Sequence, residues 1–497
     1  MSPLATSRPS RPTPTSEAAD AISLLCLGLG AITLALLVTR IVVVSGNPDG
    51  QHLTPLLYTA ANVFLYVGVV LGSAYGMISI LTSFFFLFFV AIPAQVQVAA
   101  HTFPFGHFYN GFELAKGYEI LAVGQLALMC GHLVSRARDG DTASRPPLPA
   151  SEQVCRRYLW VIALLCLGIV AKVGVGAVTQ SRFAQGVPGL PSGTGGPLLA
   201  AGRSMSLFAA LLCVLLWRHV ERERRSSLVP ITLLVGVGFL LLNYPTSLPR
   251  FQLLGIVVAF GCLSPRPSRR TLERLTAFVG PVFVLFLFPA SKSLGTGRVS
   301  HLFSTVTTNV HQYLLTADFD GFKQTVDTWI YAQDHHLRDG QNFLGVVLFW
   351  VPRGLWPDKP IHTGQLVSST LGYPFNNVSS PLPAEGYVSW RLLGTVVAMG
   401  LLGYLCRHVE RSSAAVVPSA SLSLSPILEA LLAGFVIIIL RGALNAIVPM
   451  VAPAFVLYVL LWSWSRTREP DRPISRPVSR PVSRRQPRVA IRVGRDR

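Results

Sequence analysis

Between Phe349 and Pro360 the chain reads Phe-Trp-Val-Pro-Arg-Gly-Leu-Trp-Pro-Asp-Lys-Pro, and Ala384-Glu-Gly-Tyr-Val-Ser-Trp-Arg391 follows shortly after. Pro352, Pro357 and Pro360 stiffen a turn that presents Arg353, Asp358 and Lys359. An arginine fork binds phosphate oxygens bidentately, and a lysine adds a compact point charge. Glu385, the only glutamate between 274 and 409, is either an ordinary interfacial carboxylate or a base that takes the proton of an attacking hydroxyl. His362 directly follows the Lys-Pro turn and is an equally good candidate base. His335 and His336 lie between Asp334 and Asp339, but adjacent residues on a turn seldom converge on one ion and no HExxH-like spacing is present. No metal site is therefore expected; the pair faces solvent, touches sugar or serves as a base.

These polar residues interrupt a chain built for lipid. Of 497 residues 51% are hydrophobic and only 13% charged, and the mean hydropathy is positive. Most long apolar runs are apolar all round, which excludes a soluble enzyme with amphipathic helices. Their lengths suit a bilayer. The expected fold class is all-α, a multi-pass membrane protein of about 12 spans near 21–44, 56–74, 77–98, 117–135, 158–179, 198–217, 228–243, 251–264, 275–290, 392–406, 427–441 and 446–464. The run 251–264 is short for a crossing and reads as a tilted or half helix.

Arginine placement orients these spans. Segments 136–157, 218–226, 265–274 and 407–411 hold five, four, four and two arginines, and the tail after 465 holds eleven. In an even-numbered topology they fall on one side, which the positive-inside preference makes cytoplasmic. Both termini are then cytoplasmic, in a cell membrane, and 291–391 is an outer loop with seven basic and seven acidic residues. The net charge of +19 is mostly topological, and no basic fold points to nucleic acid.

Once the inner arginines are set aside, Arg182, Arg203, Arg250, Arg353, Arg391 and Arg441 all map to outer ends of spans or outer loops. An arginine deep in a span costs roughly 2.5–3.5 kcal/mol on insertion scales, so something should offset this placement. A lipid-linked phosphate in the outer leaflet would suit guanidinium groups. The bland alternative is snorkelling to headgroups. Membrane lipids are partners on either reading.

The expected domains are a disordered tail over 1–20, a bundle over 21–290, the outer loop 291–391, further spans over 392–464 and a basic tail over 465–497. In that tail, Ile474 to Arg484 repeats every four residues with proline, which blocks helix. Within the outer loop, 318–333 places Phe322, Val326, Trp329 and Ile330 at helical spacing with acids opposite, predicting an amphipathic helix at the membrane surface. Phe343 to Val351 is apolar but too short to cross; it dips into the membrane or covers the outer mouth. The seven cysteines form no CxxC pair and none lies in the outer loop, so no disulfide framework is implied. Gly189-Leu-Pro-Ser-Gly-Thr-Gly-Gly196 lacks a following lysine and reads as a flexible loop.

Pro352-Arg-Gly-Leu-Trp-Pro-Asp-Lys-Pro360 with Thr363-Gly364, followed by Ala384-Glu-Gly-Tyr-Val-Ser-Trp-Arg-Leu-Leu-Gly394, resembles the Wzy-like O-antigen polymerases, a family of oligosaccharide repeat-unit polymerases of the GT-C-type membrane glycosyltransferases. The resemblance covers some 75 residues, 318–394; the first 200 match only as generic spans. Ser389-Trp390-Arg391 stands where the family often has an aromatic-Gly step. The resemblance implies a polymerase acting on a glycan linked to polyprenyl pyrophosphate, without a cofactor. Arg353, Lys359 and Arg391 would hold phosphate, and Glu385 or a loop histidine would be the base. Sugar rings would stack on Trp329, Trp350, Trp356 or Tyr387. A chain-length regulator is a further partner compatible with this reading. An O-antigen ligase-like transferase shares the same features, and a lipid-linked oligosaccharide flippase is the non-enzymatic alternative.

Overall fold

The computed structural model describes residues 53–72, 75–138, 149–180, 195–264, 266–287, 310–335, 339–376, 378–414 and 422–467. The expected span 21–44, both terminal tails beyond these limits, most of the glycine-rich loop, Arg182 and His336 lie outside them.

Helices make up almost all of the described chain. The principal ones, in order, are α1 (Leu53–Leu71), α2 (Met77–Ala99), α3 (Gly111–Arg138), α4 (Glu152–Val173), α5 (Gly195–His219), α6 (Val229–Leu242, which flanking 3₁₀ turns extend to Arg222–Ser247), α7 (Arg250–Cys262) and α8 (Arg266–Val282). There follow α9 (Gly321–Asp334), α10 (Gln341–Val347), α11 (Thr363–Thr370), α12 (Leu382–Ala414), α13 (Ser425–Arg441) and α14 (Leu444–Thr467). Among the described residues eight helices are long and apolar enough to cross a membrane, which makes this an α-helical protein of the multi-pass membrane kind. They coincide with eight of the expected spans. The run 251–264 is instead the 13-residue α7, and 427–441 is the 17-residue α13. Of the run 275–290, residues 275–287 form the end of α8 and the π-helical turn Phe283–Leu287.

Sequence accounts for much of this. Proline opens α6 and α13 in their first turn, where its missing N–H costs nothing. The phenylalanine run inside α2 carries a π-helical segment, Phe86–Ala91. The rings of Phe85 and Phe89 stack 5.9 Å apart, and Phe89 reaches Phe251 at 5.4 Å and Phe319 at 5.5 Å. That aromatic group joins α2 to α7 and to the start of the late loop.

The two ends of the bundle are distinct, because α13 carries Glu429 near its start and Arg441 at its finish. At the first end Arg269 of α8 grips Glu429 with its Nη1 and Nη2 and Glu273 with its Nε. A two-residue antiparallel pair, β1 (Pro149–Ala150) with β2 (Leu422–Ser423), lies beside the start of α13. At the other end, α9 packs on α3 and α12, and the segment before it meets the Arg441 end of α13.

One expectation is corrected here. Helix α9 is not a surface helix with its acids toward solvent; it is buried on all sides from Gly321 to Thr328. Tyr118 and Phe322 rings pack 4.4 Å apart. Burial is possible because Lys323 and Asp327, both at 0% side-chain exposure, satisfy one another at 2.6 Å. The Asp327 carboxylate also accepts from Tyr109 at 2.5 Å and from Tyr373 at 2.8 Å. Lys323 sits over the Tyr373 ring at 3.8 Å. Burial pushes the Lys323 ammonium below the usual lysine range, against the pull of Asp327. Burial, then Asp327, raises both tyrosines.

Helix α12 also departs from the expected pattern. Its backbone leaves helical geometry at Trp390 (φ −147°, ψ 36°) and Arg391 (φ 53°, ψ −143°). The arm 382–389 turns back on the arm 392–414, so the Thr395 hydroxyl donates to the Pro383 carbonyl at 2.8 Å. In a straight helix these residues would be about 18 Å apart. Gly386 and Gly394 meet backbone to backbone where the arms cross, and a Cβ on either would run into the other's main chain. Glu385 thus rides on a short arm folded against a span.

Candidate functional site

The segment from α10 to α11 frames the site. Gly340, in the left-handed region at φ 80°, opens α10 against Trp390, whose indole would collide with any Cβ at that position. Phe343 stacks on the same indole at 5.4 Å. Beyond α10 the turn runs through carbonyls that its prolines, which lack N–H groups, cannot pair. The cations of the turn take that role. Lys359 Nζ donates to the carbonyls of Phe349 at 2.7 Å and Val351 at 2.9 Å. Arg353 Nη1 donates to the Lys359 carbonyl at 2.6 Å and Nη2 to the Pro360 carbonyl at 3.3 Å. Desolvation, then Arg353, lowers the proton affinity of Lys359. Arg353 stays exposed at the tip of a rigid turn, and Trp356 is half-buried behind it.

His362 caps α11, its Nδ1 accepting the Gln365 N–H at 3.0 Å. The ring therefore carries its proton on Nε2, and burial holds its pKa below the ordinary histidine value. The Nδ1 lone pair is committed to the helix, which weakens His362 as a base. His335 is exposed at the end of α9, its ring flat on Tyr331 at 4.7 Å and its Nδ1 3.2 Å from the Tyr331 carbonyl. Among the described residues no group of three His, Cys, Asp or Glu could hold a metal ion.

Glu385 is 2% exposed, and a buried carboxylate must be hydrogen-bonded. Its Oε2 accepts from the Thr363 hydroxyl at 2.6 Å, and its Oε1 accepts from the Leu444 N–H at the start of α14, at 3.1 Å. Asn342 of α10 donates to the same Thr363 oxygen at 2.9 Å. The Asn342 Oδ1 and both amide atoms of Asn445 are buried with no partner among the described residues. A Cβ on Gly345 would stand 3.1 Å from Asn445 Oδ1 and 3.4 Å from Pro360. The turn bearing Arg353 and the arm bearing Glu385 thus converge on one helix start.

The other cations fall into separate groups. Arg250 and Arg441 meet over Asp318 and Asp320: Arg250 pairs with Asp318 at 3.4 Å, and Arg441 with Asp320 at 3.4 Å. Arg441 also donates to the carbonyls of Ala317 and Asp318 and lies over the Phe251 ring. Ser379 holds Asp320 through its N–H and hydroxyl. Arg203 binds the carbonyls of Leu242 and Ser247. Arg391 is exposed, reaches the Ala332 carbonyl at 3.4 Å and lies against the hydroxyl of buried Tyr387. Tyr387 packs with Ile120 and Ala332, so its ring is not open for stacking, whereas Trp350 is 68% exposed.

Thr363, Asn342, Asn445, Asp318 and Asp320 are the contacts that sequence reasoning missed. The i,i+4 spacing of Lys323 and Asp327 was the available signal for a buried α9. Nothing in the sequence pairs Glu385 with Leu444, 59 residues away. Compared with known protein families, curated proteins and solved structures, the chain matches none.

Proposed function

We propose that the protein is a membrane glycosyltransferase that joins polyprenyl-pyrophosphate-linked oligosaccharide repeat units into a surface polysaccharide. In this reading the chain crosses the cytoplasmic membrane twelve times with both termini inside, and 291–391 lies outside. The observation that carries the reading is the meeting of the two motif segments near the start of α14. Pro360, which ends the turn of Arg353 and Lys359, lies beside Gly345 with Asn445, and Glu385, holding Thr363, accepts the Leu444 N–H.

The chemistry asks for two things. An acceptor hydroxyl must lose its proton as it attacks the anomeric carbon, and the bond from that carbon to the pyrophosphate oxygen must break. Thr363, between Asn342 and Glu385, can receive the acceptor's proton as its own passes to Glu385. Arg353, exposed on a braced turn, can neutralise charge growing on the departing diphosphate, as preorganised cations do. A chain-length regulator would act on the same outer face.

The test is deletion of the gene, with sizing of surface glycan and mass-resolved lipid-linked intermediates. A polymerase leaves single lipid-linked repeat units when lost, whereas a ligase leaves long lipid-linked chains. Arg353→Ala should reproduce the polymerase defect, and a normal ladder of lengths in that variant would count against the site. Exposed Thr370, replaced by cysteine in a variant without native cysteines, should react with an impermeant maleimide on intact cells. Labelling only after permeabilisation would end the proposal.

A further inference from the structure

A cavity of about 80 Å³, open on one side, lies between α1, α2, α3 and the long arm of α12. Its walls include Phe64, Leu65, Val69, Phe86, Leu128 and Met129, and no Asp, Glu, Lys or Arg lines it. Polar groups gather at two places, Asn62 with Gln125, and Ser79 with His132. Phe86 begins the π-helical segment of α2, a feature often found at functional positions. Thr363, Glu385 and Asn445 are not among its lining residues, so it is separate from the site described above.

The hydrogen bonds around the cavity select its ligand. Asn62 donates to the Tyr58 carbonyl at 2.9 Å, and Gln125 donates to Asn62 Oδ1 at 2.6 Å. Thr82 donates to the Ile78 carbonyl, Ser83 to the carbonyls of Ser79 and Ile80, and Ser79 to Glu410. These donors are already engaged. What remains is an acceptor: Gln125, 4% exposed, has an Oε1 with no partner among the described residues. A buried carbonyl oxygen of this kind favours a ligand that brings a hydrogen-bond donor. Among the described residues no charged side chain lines the cavity to pair with a charged headgroup directly. The mouth includes Phe64, 44% exposed beside Val63 and Val67 on the outward apolar face of α1. In a membrane-spanning helix that face meets lipid.

We propose that this cavity binds a neutral, single-chain lipid alcohol, its hydroxyl donating to Gln125 Oε1 and its hydrocarbon lying along Phe64, Phe86 and Leu128. The site draws its ligand sideways from the bilayer. It does not depend on the glycosyl-transfer reading and would stand if that reading failed.

The experiment uses the full-length protein in lipid nanodiscs and a long-chain alcohol carrying a diazirine in its chain. After irradiation, peptides covering 62–69 and 125–132 should carry the label, well above peptides from the outward face of α6. Unlabelled alcohol of the same length should displace it at least ten-fold better than the corresponding alkane, a comparison that needs no variant. Gln125→Leu should weaken labelling several-fold while leaving the alkane unaffected. The proposal is overturned if alcohol and alkane compete equally, which would indicate a greasy crevice or a water on Gln125. It is overturned equally if the label spreads evenly over lipid-facing helices, or if peptides from residues 21–44, rather than 62–69 and 125–132, carry it.

Discussion

The Glu385 carboxylate accepts the backbone N–H of Leu444 at 3.1 Å, fastening the folded-back arm of α12 to the start of α14. The same carboxylate takes the Thr363 hydroxyl at 2.6 Å. A negative side chain at a helix start is electrostatically favoured there, so Glu385 has a structural role beside the proposed chemical one. The two separate in the Glu385→Gln variant. An amide oxygen can still accept from Leu444 while its NH₂ turns to Thr363, so thermal unfolding in detergent should fall only slightly. Glycan extension should fall about 10²–10⁴-fold if the carboxylate is the base. Full chain length in a folded Gln variant would leave Glu385 with the structural role alone.

The buried pair in α9 predicts an asymmetry. Asp327→Leu leaves the Lys323 ammonium without its carboxylate in a site of 0% exposure, and breaking such a pair costs about 3–5 kcal/mol. Lys323→Met should cost less, since Asp327 keeps the hydroxyls of Tyr109 and Tyr373. The double variant should recover much of the loss. Melting curves of the three proteins give the coupling directly, and equal losses in both single variants would contradict it.

His362 predicts a pH dependence. Its folded-state pKa lies below the ordinary value because the ring is buried, and its unprotonated Nδ1 caps α11. As pH falls below about 6.5, the unfolded chain binds a proton that the folded chain resists. Stability therefore declines with falling pH and levels off below the folded-state pKa. His362→Asn keeps a capping oxygen and removes the titration. Its melting temperature should be flatter than that of the unsubstituted protein between pH 7.5 and 5. Parallel curves would assign the acid sensitivity elsewhere.

Arg391 occupies φ 53°, ψ −143°, a region that only glycine enters freely. Holding a side chain there costs on the order of 1–3 kcal/mol. Arg391→Gly should therefore unfold at the same or higher temperature, despite losing the bond to the Ala332 carbonyl. Loss of chain extension in that more stable protein would mark the arginine as retained for function, and unchanged extension would remove it from the phosphate-binding set.

Composition and hydropathy alone settled the helical, membrane-spanning class, because an all-round apolar run of bilayer length has few other stable states. Eight of the twelve expected runs are helices of crossing length. Polar residue type and the proline-stiffened turn also singled out Arg353, Lys359 and Glu385 within the 291–391 segment. The sequence could not place these side chains, since each contact depends on a distant partner. Arg441 and Arg250 stand outside the loop as predicted phosphate ligands, yet tertiary packing sets Asp318 and Asp320 against them. Period alone made α9 amphipathic; Lys323 paired with Asp327 allowed its first half to be buried on every side. The reversal at Trp390 and Arg391 carries no local signal beyond two glycines eight residues apart. Only when the arms of α12 close on each other does Gly386 meet Gly394, and only then is Glu385 brought to Leu444. Local pattern determines which segments leave water. The partner of a buried charge is decided by close packing between segments far apart in the chain, where an unpaired carboxylate or guanidinium costs more than the backbone rearrangement that pairs it.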